Sequence, residues 1–212
     1  MTHATPKRSG RRRGGQGRAD SGTRAAILAA ARRLFAQRGY TQTSLRAIAA
    51  EAGVTSPLVV HFFGSKAHLF VDAVQWPFEP ATELPRILDG DRAGIGERLV
   101  RFALSIWDSE LERNAVMSML RSAFTDEKAA ALLREFLLHE FFIPLTAALR
   151  IPDGILRANL VATQILGVAI VRHVLAVEPL ASLRSDDVVV LVAPTVQRYL
   201  TGKLAAVEPP GH

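Results

Sequence analysis

From about residue 21 to residue 204 apolar side chains recur at three- and four-residue intervals, segment after segment, and nowhere hold a convincing alternation, which confines the chain to helices packed on helices. Ile27, Ala30, Ala31, Leu34 and Phe35 mark a first helix that Asp20 or Ser21 can cap and Gly39 ends. Thr43 can accept hydrogen bonds from free amides ahead of a short helix over 45–52, whose Leu45, Ile48, Ala49 and Ala52 form one stripe. Gly53 permits a left-handed turn, Thr55 offers a second cap, and Pro57 suits the first turn of a third helix over about 56–62. Gly64 and Ser65 break the chain before a helix over 66–74; Pro77, Pro80 and Pro85 then mark a domain boundary. Long amphipathic segments follow at about 93–113, 115–124, 126–149, 152–177 and 185–201. The β-branched run 188–192 belongs to the last, which Ser185 can cap and Gly202 can close. No internal repeat is visible. The expected organisation is all-α: a basic arm over 1–20, a small helical domain with a linking helix over 21–75, a larger helical domain over 76–204 and a disordered tail over 205–212.

Charge separates these parts. Lys7, Arg8, Arg11, Arg12, Arg13, Arg18 and Arg24 against Asp20 put the whole formal charge of +6 into residues 1–24. Residues 25–75 carry a further excess of three cations, and residues 76–212 balance it with an excess of three carboxylates. End-loaded charge of this kind points to an anionic partner at one end of the molecule. The Gly/Arg run 9–18 has almost nothing to bury, so it reads as disordered, either a phosphate-binding arm or a solubilising tail. The absence of cysteine removes disulfide scaffolds, thiolate zinc sites, iron–sulfur clusters and cysteine nucleophiles, and fits a reducing cytoplasm. The first 24 residues lack a signal peptide's apolar run. The most apolar later stretch, 158–177, is interrupted by Asn159, Gln164, Arg172 and His173, so no membrane span is read.

Two short helices joined by a three-residue turn, with alanines where they cross and cations upstream, make a helix-turn-helix. Its second helix is narrow enough to enter the major groove of double-stranded DNA, where N-terminal side chains reach base edges, while the first crosses the phosphate backbone. No catalytic constellation competes with this reading. The histidines form no HExxH or closely spaced pair, and no phosphate loop or Ser-His-Asp motif is legible, so neither enzyme, metal site nor cofactor is expected. A protein that coats DNA without regard to sequence remains the rival, separable by operator preference in competition binding.

Residues 23–54, TRAAILAAARRLFAQRGYTQTSLRAIAAEAGV, together with FGSKAHLF at 63–70, resemble the DNA-binding domain of the TetR family of bacterial transcriptional regulators. The resemblance rests on the Ile27-Leu28 and Leu34-Phe35 pairs, Gly39-Tyr40, Thr43, Ile48-Ala49, Ala52-Gly53-Val54, and Phe63 followed by Ser65-Lys66. It implies three DNA-domain helices, a linking helix, and a helical C-terminal domain that dimerises and usually binds a small molecule. By the same resemblance, backbone contact falls on Thr43 and Arg46, phosphate contact on Lys66, and recognition on Thr55, Ser56, Pro57, Leu58, Val59 and His61. The chain departs from the family pattern at Val60 and Phe62, where tyrosine and histidine are usual. Arg11, Arg12 and Arg13 are the cations available to compensate. Leu58 and Val59 could touch thymine methyl groups, or Val59 and Val60 could belong to the core; His61 is either a DNA contact or a solvated surface side chain.

A weaker resemblance to a subset of the family covers RHVLAVEPLASL (172–183) and APTVQRYLTG (193–202), and implies that the last two helices pair with those of a second chain. The segment 152–177 supports this independently, being apolar around most of its circumference. The expected interface comprises Leu160, Gln164, Gly167, Val168, Val171, Arg172, Val192, Val196 and Tyr199. Gln164 and Arg172 would either bond across the dimer, touch a ligand, or reach solvent at its rim. Phe102, Trp107, Met117, Met119, Phe124, Phe136, Phe141 and Phe142 are wall material for an effector pocket, with Arg121, His139 and Gln164 as polar groups beside it. The sequence therefore reads as a cytoplasmic homodimeric repressor that binds an inverted-repeat operator and is released by a mainly apolar small molecule.

Overall fold

The computed structural model describes residues 13–204, with side chains from Asp20 onward, and among them every regular element is helical. Helix α1 (Arg13–Arg38) starts before the expected caps at Asp20 and Ser21, so the later part of the predicted disordered arm is helical backbone. Once a packed segment has nucleated a helix, each added residue gains a backbone hydrogen bond at little further cost. Arg11 and Arg12 lie outside the described residues, as does the side chain of Arg13 and the whole segment 205–212.

Helix α2 (Leu45–Glu51) is capped by Ser44, whose Oγ accepts from the Ala47 N–H at 3.1 Å, rather than by Thr43. Gly53, at φ 68°, turns the chain into α3 (Ser56–Phe63), a conformation that any Cβ would strain. Ser65 caps α4 (Lys66–Val74). That helix closes at Gln75, left-handed at φ 57°, after which the Trp76 backbone N–H donates to the Val71 carbonyl at 3.0 Å.

The proline-rich stretch at the expected domain boundary is itself largely helical. Pro80 occupies the first turn of α5 (Pro80–Leu88), where its missing amide is harmless, and burial of Leu84 and Ile87 offsets the interior Pro85. A 3₁₀ turn (Arg92–Gly94) leads into α6 (Ile95–Asp108). The helix expected to continue to 113 stops there, because Ser109 caps α7 (Glu110–Thr125), with Glu110 and Glu112 favourably placed in its first turn. Helix α8 (Glu127–Leu137) widens into a π turn (Leu138–Phe142) and resumes as α9 (Ile143–Leu149). Pro144 cannot donate to the preceding turn, and the widening accommodates it without a break. Helix α10 (Gly154–Ala169) likewise ends in a π turn (Ile170–Val174), and α11 (Ser185–Thr201) completes the chain. Ser185 does not cap α11. Its hydroxyl donates to Asp108 Oδ2 at 2.5 Å, tying α11 to the end of α6.

Helices α6 and α11 pack closely along their length. At Gly96 an added Cβ would lie 2.7 Å from the Gln197 backbone nitrogen, so only glycine fits. Arg157, buried on α10, donates to the Tyr199 and Gly202 carbonyls at 2.7 and 2.9 Å, placing a cation at the negative end of α11. The core of α1–α4 is completed from far along the sequence. Leu132, Leu133 and Phe136 of α8 are buried in it with Phe35, Tyr40, Phe70 and Trp76, and the Phe136 ring lies tilted against Phe70 with centroids 4.4 Å apart. A second core unites α5, α6, α9, α10 and α11.

Candidate nucleic-acid interface and ligand cavity

Helix α3 presents Thr55, Pro57, Val60 and His61 to solvent, and Pro57, Val60 and His61 are spaced so that they form one stripe. The hydroxyl of Thr55, at the N-cap position, makes no capping hydrogen bond and stays available to a partner. Ser56 and Leu58 are half-buried at the edge of this stripe. Arg46 is exposed on α2 and has no ion-pair partner among the described residues. Arg24 and Arg33 are exposed too, but salt bridges to Asp72 and Glu51 occupy them.

Three expected DNA contacts sit elsewhere. Val59 is 0% exposed, because with Phe63 it forms the inward stripe of α3. Thr43 is buried, its hydroxyl donating to the Leu34 and Gly39 carbonyls at 3.2 and 2.8 Å, so it pins the turn between α1 and α2. Lys66 directs its ammonium to the Tyr40 carbonyl at 3.0 Å and lies 4.2 Å above the Tyr40 ring. Burial lowers the Lys66 pKa, and the nearby Glu140 and Glu135 carboxylates oppose that shift. Lys66 is half-buried, and its ammonium is tied to the turn that follows α1.

The same corner joins the two halves of the molecule. Glu140, in the π turn after α8, accepts from the Tyr40 hydroxyl at 2.6 Å, and Glu135 of α8 accepts from the Thr41 N–H at 2.8 Å. That backbone hydrogen bond is the main reason the Glu135 carboxyl titrates below its usual range. Burial, reinforced by Glu140, pushes the Tyr40 phenol far above its ordinary value.

Behind this corner lies a cavity of about 200 Å³. Its wall is made by Trp76 and Phe78 after α4, Leu99, Phe102, Ile106 and Trp107 of α6, Val116 and Leu120 of α7, Leu133 and Leu137 of α8, Phe141, Phe142 and Leu145, and Val161, Ile165 and Leu166 of α10. No charged side chain is among them. Phe102, Trp107, Phe141 and Phe142 are where the sequence places them. Val116 and Leu120 are the stripe of α7 that faces the cavity, which turns Met117, Arg121 and Phe124 away; Phe124 is 76% exposed. Met119 packs toward the core of α1–α4, Phe136 is buried within that core, His139 faces solvent, and Gln164 lies off the wall. Trp76 and Phe78 escape sequence reasoning because they sit among the prolines that mark the expected domain boundary. Val161 and Ile165 escape it because α10 is apolar on nearly every side.

The residues expected at an interface on α10 and α11 differ in exposure. Gly167 is exposed, and Leu160, Gln164, Val168, Val171, Val192 and Tyr199 are half-buried. Val196 is 0% exposed and belongs to the core of its own chain, since it faces α6. Arg172 bends back to the Leu180 carbonyl and Ser185 Oγ, at 3.4 and 3.3 Å, holding the loop before α11. Val190 and Leu191, 70% and 65% exposed, are the apolar surface that the sequence reading missed. The helix Gly154–Val174 is long and apolar enough to cross a membrane, and 22% of its most apolar 18-residue window is buried.

Comparison with known proteins places this architecture. A family model described as bacterial regulatory proteins of the tetR family matches residues 27–73, and one described as the Tetracyclin repressor-like C-terminal domain matches residues 93–200. A TetR-family regulator from Streptomyces coelicolor A3 is 40% identical over 90% of this chain and 99% of its own, with a TM-score of 0.48. The chain belongs to the TetR family. NalD of Pseudomonas aeruginosa, the secondary repressor of the MexAB-OprM multidrug efflux pump, is 26% identical over 86% of this chain and 98% of its own, with a TM-score of 0.45. No curated protein matches. As a TetR-family member the chain is a DNA-binding transcriptional regulator, and the first family model spans from within α1 to nearly the end of α4.

Proposed function

We propose that this TetR-family regulator is a cytoplasmic homodimeric repressor that places two copies of α3 on an inverted-repeat operator and leaves it when a mainly apolar small molecule fills the cavity. Arg46, Thr55, Pro57, Val60 and His61, with Ser56 and Leu58 at the margin, are the DNA-facing set; Arg11, Arg12 and Arg13 add sequence-independent affinity for phosphate. One observation carries the release step: Trp76 and Leu133 belong both to the cavity wall and to the core of α1–α4. A ligand that moves either side chain therefore acts on packing that sets the position of α3. Close-packed cores change by discrete repacking rather than by continuous deformation, so a small displacement can be passed on.

Release requires that the ligand bind the two arrangements differently, and ligand and operator must then weaken each other's binding by one factor. Titrating an operator duplex with and without a cavity ligand tests this. Equal ligand affinity for free and DNA-bound protein rules out release. Tight binding to every duplex alike would instead favour the DNA-coating reading.

A further inference from the structure

Trp76, Phe78, Phe102, Trp107, Phe141 and Phe142 all take part in the cavity wall, and all but Trp107 form one connected belt of rings. Phe78, on the connection between α4 and α5, is the hub of that belt. It meets the rings of Trp76, Phe102 and Phe141 edge to face, with centroids 5.3, 5.1 and 5.9 Å apart, and Phe141 meets Phe142 in the same way at 6.0 Å. At such separations the positive edge of one ring faces the negative face of another, which stabilises the pair beyond the area it buries. Phe78 also stands where the packing of the molecule converges. Among the described residues it alone packs against all three apolar clusters: the core of α1–α4, the core that unites α5, α6, α9, α10 and α11, and a small cluster of Ile106, Trp107, Val116 and Ala169.

We infer that this cavity takes an uncharged aromatic molecule of one or two rings, seated against Phe78 so that its ring joins the belt. The inference rests on the reading of the cavity as the effector site and adds to it the chemical class of the effector. An ion is excluded by the wall, which offers no counter-charge to offset desolvation. Size limits the ligand as well. A cavity of about 200 Å³ lies below the roughly 300–1,000 Å³ of pockets for drug-sized molecules and a little above the roughly 150 Å³ at which an apolar cavity accepts benzene. A saturated ring of the same size would bury as much apolar surface, but it has no ring quadrupole to set against the belt. Because Phe78 packs against the α1–α4 core, a ring seated on it bears on the DNA-binding domain through a single side chain.

A matched pair of probes tests this, toluene and methylcyclohexane, which share a carbon skeleton and differ in the aromaticity of the ring. Titration of the full-length protein followed by NMR should show that toluene binds about three- to tenfold more tightly than its hydrophobicity relative to methylcyclohexane predicts. Phe78→Leu, which removes the hub ring and keeps an apolar wall, should abolish that preference and leave methylcyclohexane affinity within about twofold. In the unmodified protein the ring protons of Phe78 should shift far more with toluene than with methylcyclohexane, because only toluene brings a ring current. Those of Phe124, exposed and outside the wall, should shift with neither. This second readout holds if the variant fails to fold. A toluene preference that is absent or survives Phe78→Leu, or Phe78 ring protons that respond alike to both probes, overturns the aromatic class and leaves the effector cavity standing. If neither probe binds, the effector reading of the cavity itself fails.

Discussion

Lys66 and Thr43 have the side chains that a phosphate-contacting corner needs, yet Thr43 is buried and the half-exposed Lys66 directs its ammonium to the protein's own backbone. Lys66 bonds the Tyr40 carbonyl at 3.0 Å, and Thr43 bonds two carbonyls at the end of α1. Side-chain chemistry is legible in a sequence; the direction in which it is spent depends on what α8 brings to the same corner. Lys66→Met should therefore lower the melting temperature and weaken operator binding without changing its salt dependence. A direct phosphate contact would instead reduce the slope of log K against log salt by about one. Electrophoretic or anisotropy titrations at several salt concentrations distinguish the two. His173 gives a second test. Burial lowers its pKa more than the carboxylate of Asp108, 3.4 Å away, raises it, and Arg172 and Arg113 add to the lowering. The unfolded chain then binds a proton more readily than the native state, so His173 contributes stability that is complete above about pH 6.5 and lost as pH falls below it. Melting temperatures between about pH 7.5 and pH 5 should decline, and His173→Gln should flatten that decline. Glu135, whose pKa is lowered by its hydrogen bond to Thr41, contributes stability that disappears only at more acidic pH, through and below the ordinary carboxylate range.

Helix α8 is the element on which the account depends, because it belongs to the sequence of one domain and to the core of the other. Phe136→Ala should cost about 3–5 kcal/mol, as for other large aromatic truncations, and should loosen α1 and α4 although residue 136 lies far beyond them in sequence. Hydrogen exchange read on α1 and α4 checks it; protection lost only in α8 and its C-terminal neighbours would show two independent cores. Periodicity located α1–α4 and the long apolar helices because each carries a strong stripe and a breaker, such as Leu45/Ile48/Ala49 before Gly53. It did not find α5, whose prolines read as punctuation until Leu84 and Ile87 have a core to enter. Nor did it place the break at Ser109 or the π turn ahead of Pro144, both settled by caps and hydrogen bonds within a continuous apolar pattern. The cavity wall was legible at Phe102, Trp107, Phe141 and Phe142, whereas on α7 a rotation of one residue separates Val116 and Leu120 from Met117 and Phe124. Wall and core look alike in sequence.

For the whole molecule, the exposed face of α10 and α11 makes a second copy the expected neighbour. Val190 and Leu191 stand free on α11, Leu175 is exposed just after the π turn, and Gly167 has open space where a Cβ would be. Val190→Asp with Leu191→Asp should yield a folded monomer with weakened operator binding, because neither residue belongs to the protomer's core. Sedimentation velocity and helix content measured together check this; an unchanged dimer would move the interface elsewhere, and a chain that associates with lipid vesicles would reassign the apolar helix. Two-fold pairing fixes the geometry of the DNA site, since the two α3 helices must then be related by the same axis. Selection of bound fragments from random duplex DNA at fixed salt tests the central claim most directly. The account predicts one preferred site of inverted symmetry, with half-site centres about 34–36 Å or a multiple of that apart. Recovery of fragments with no common sequence, or of a single site without two-fold symmetry, would contradict it.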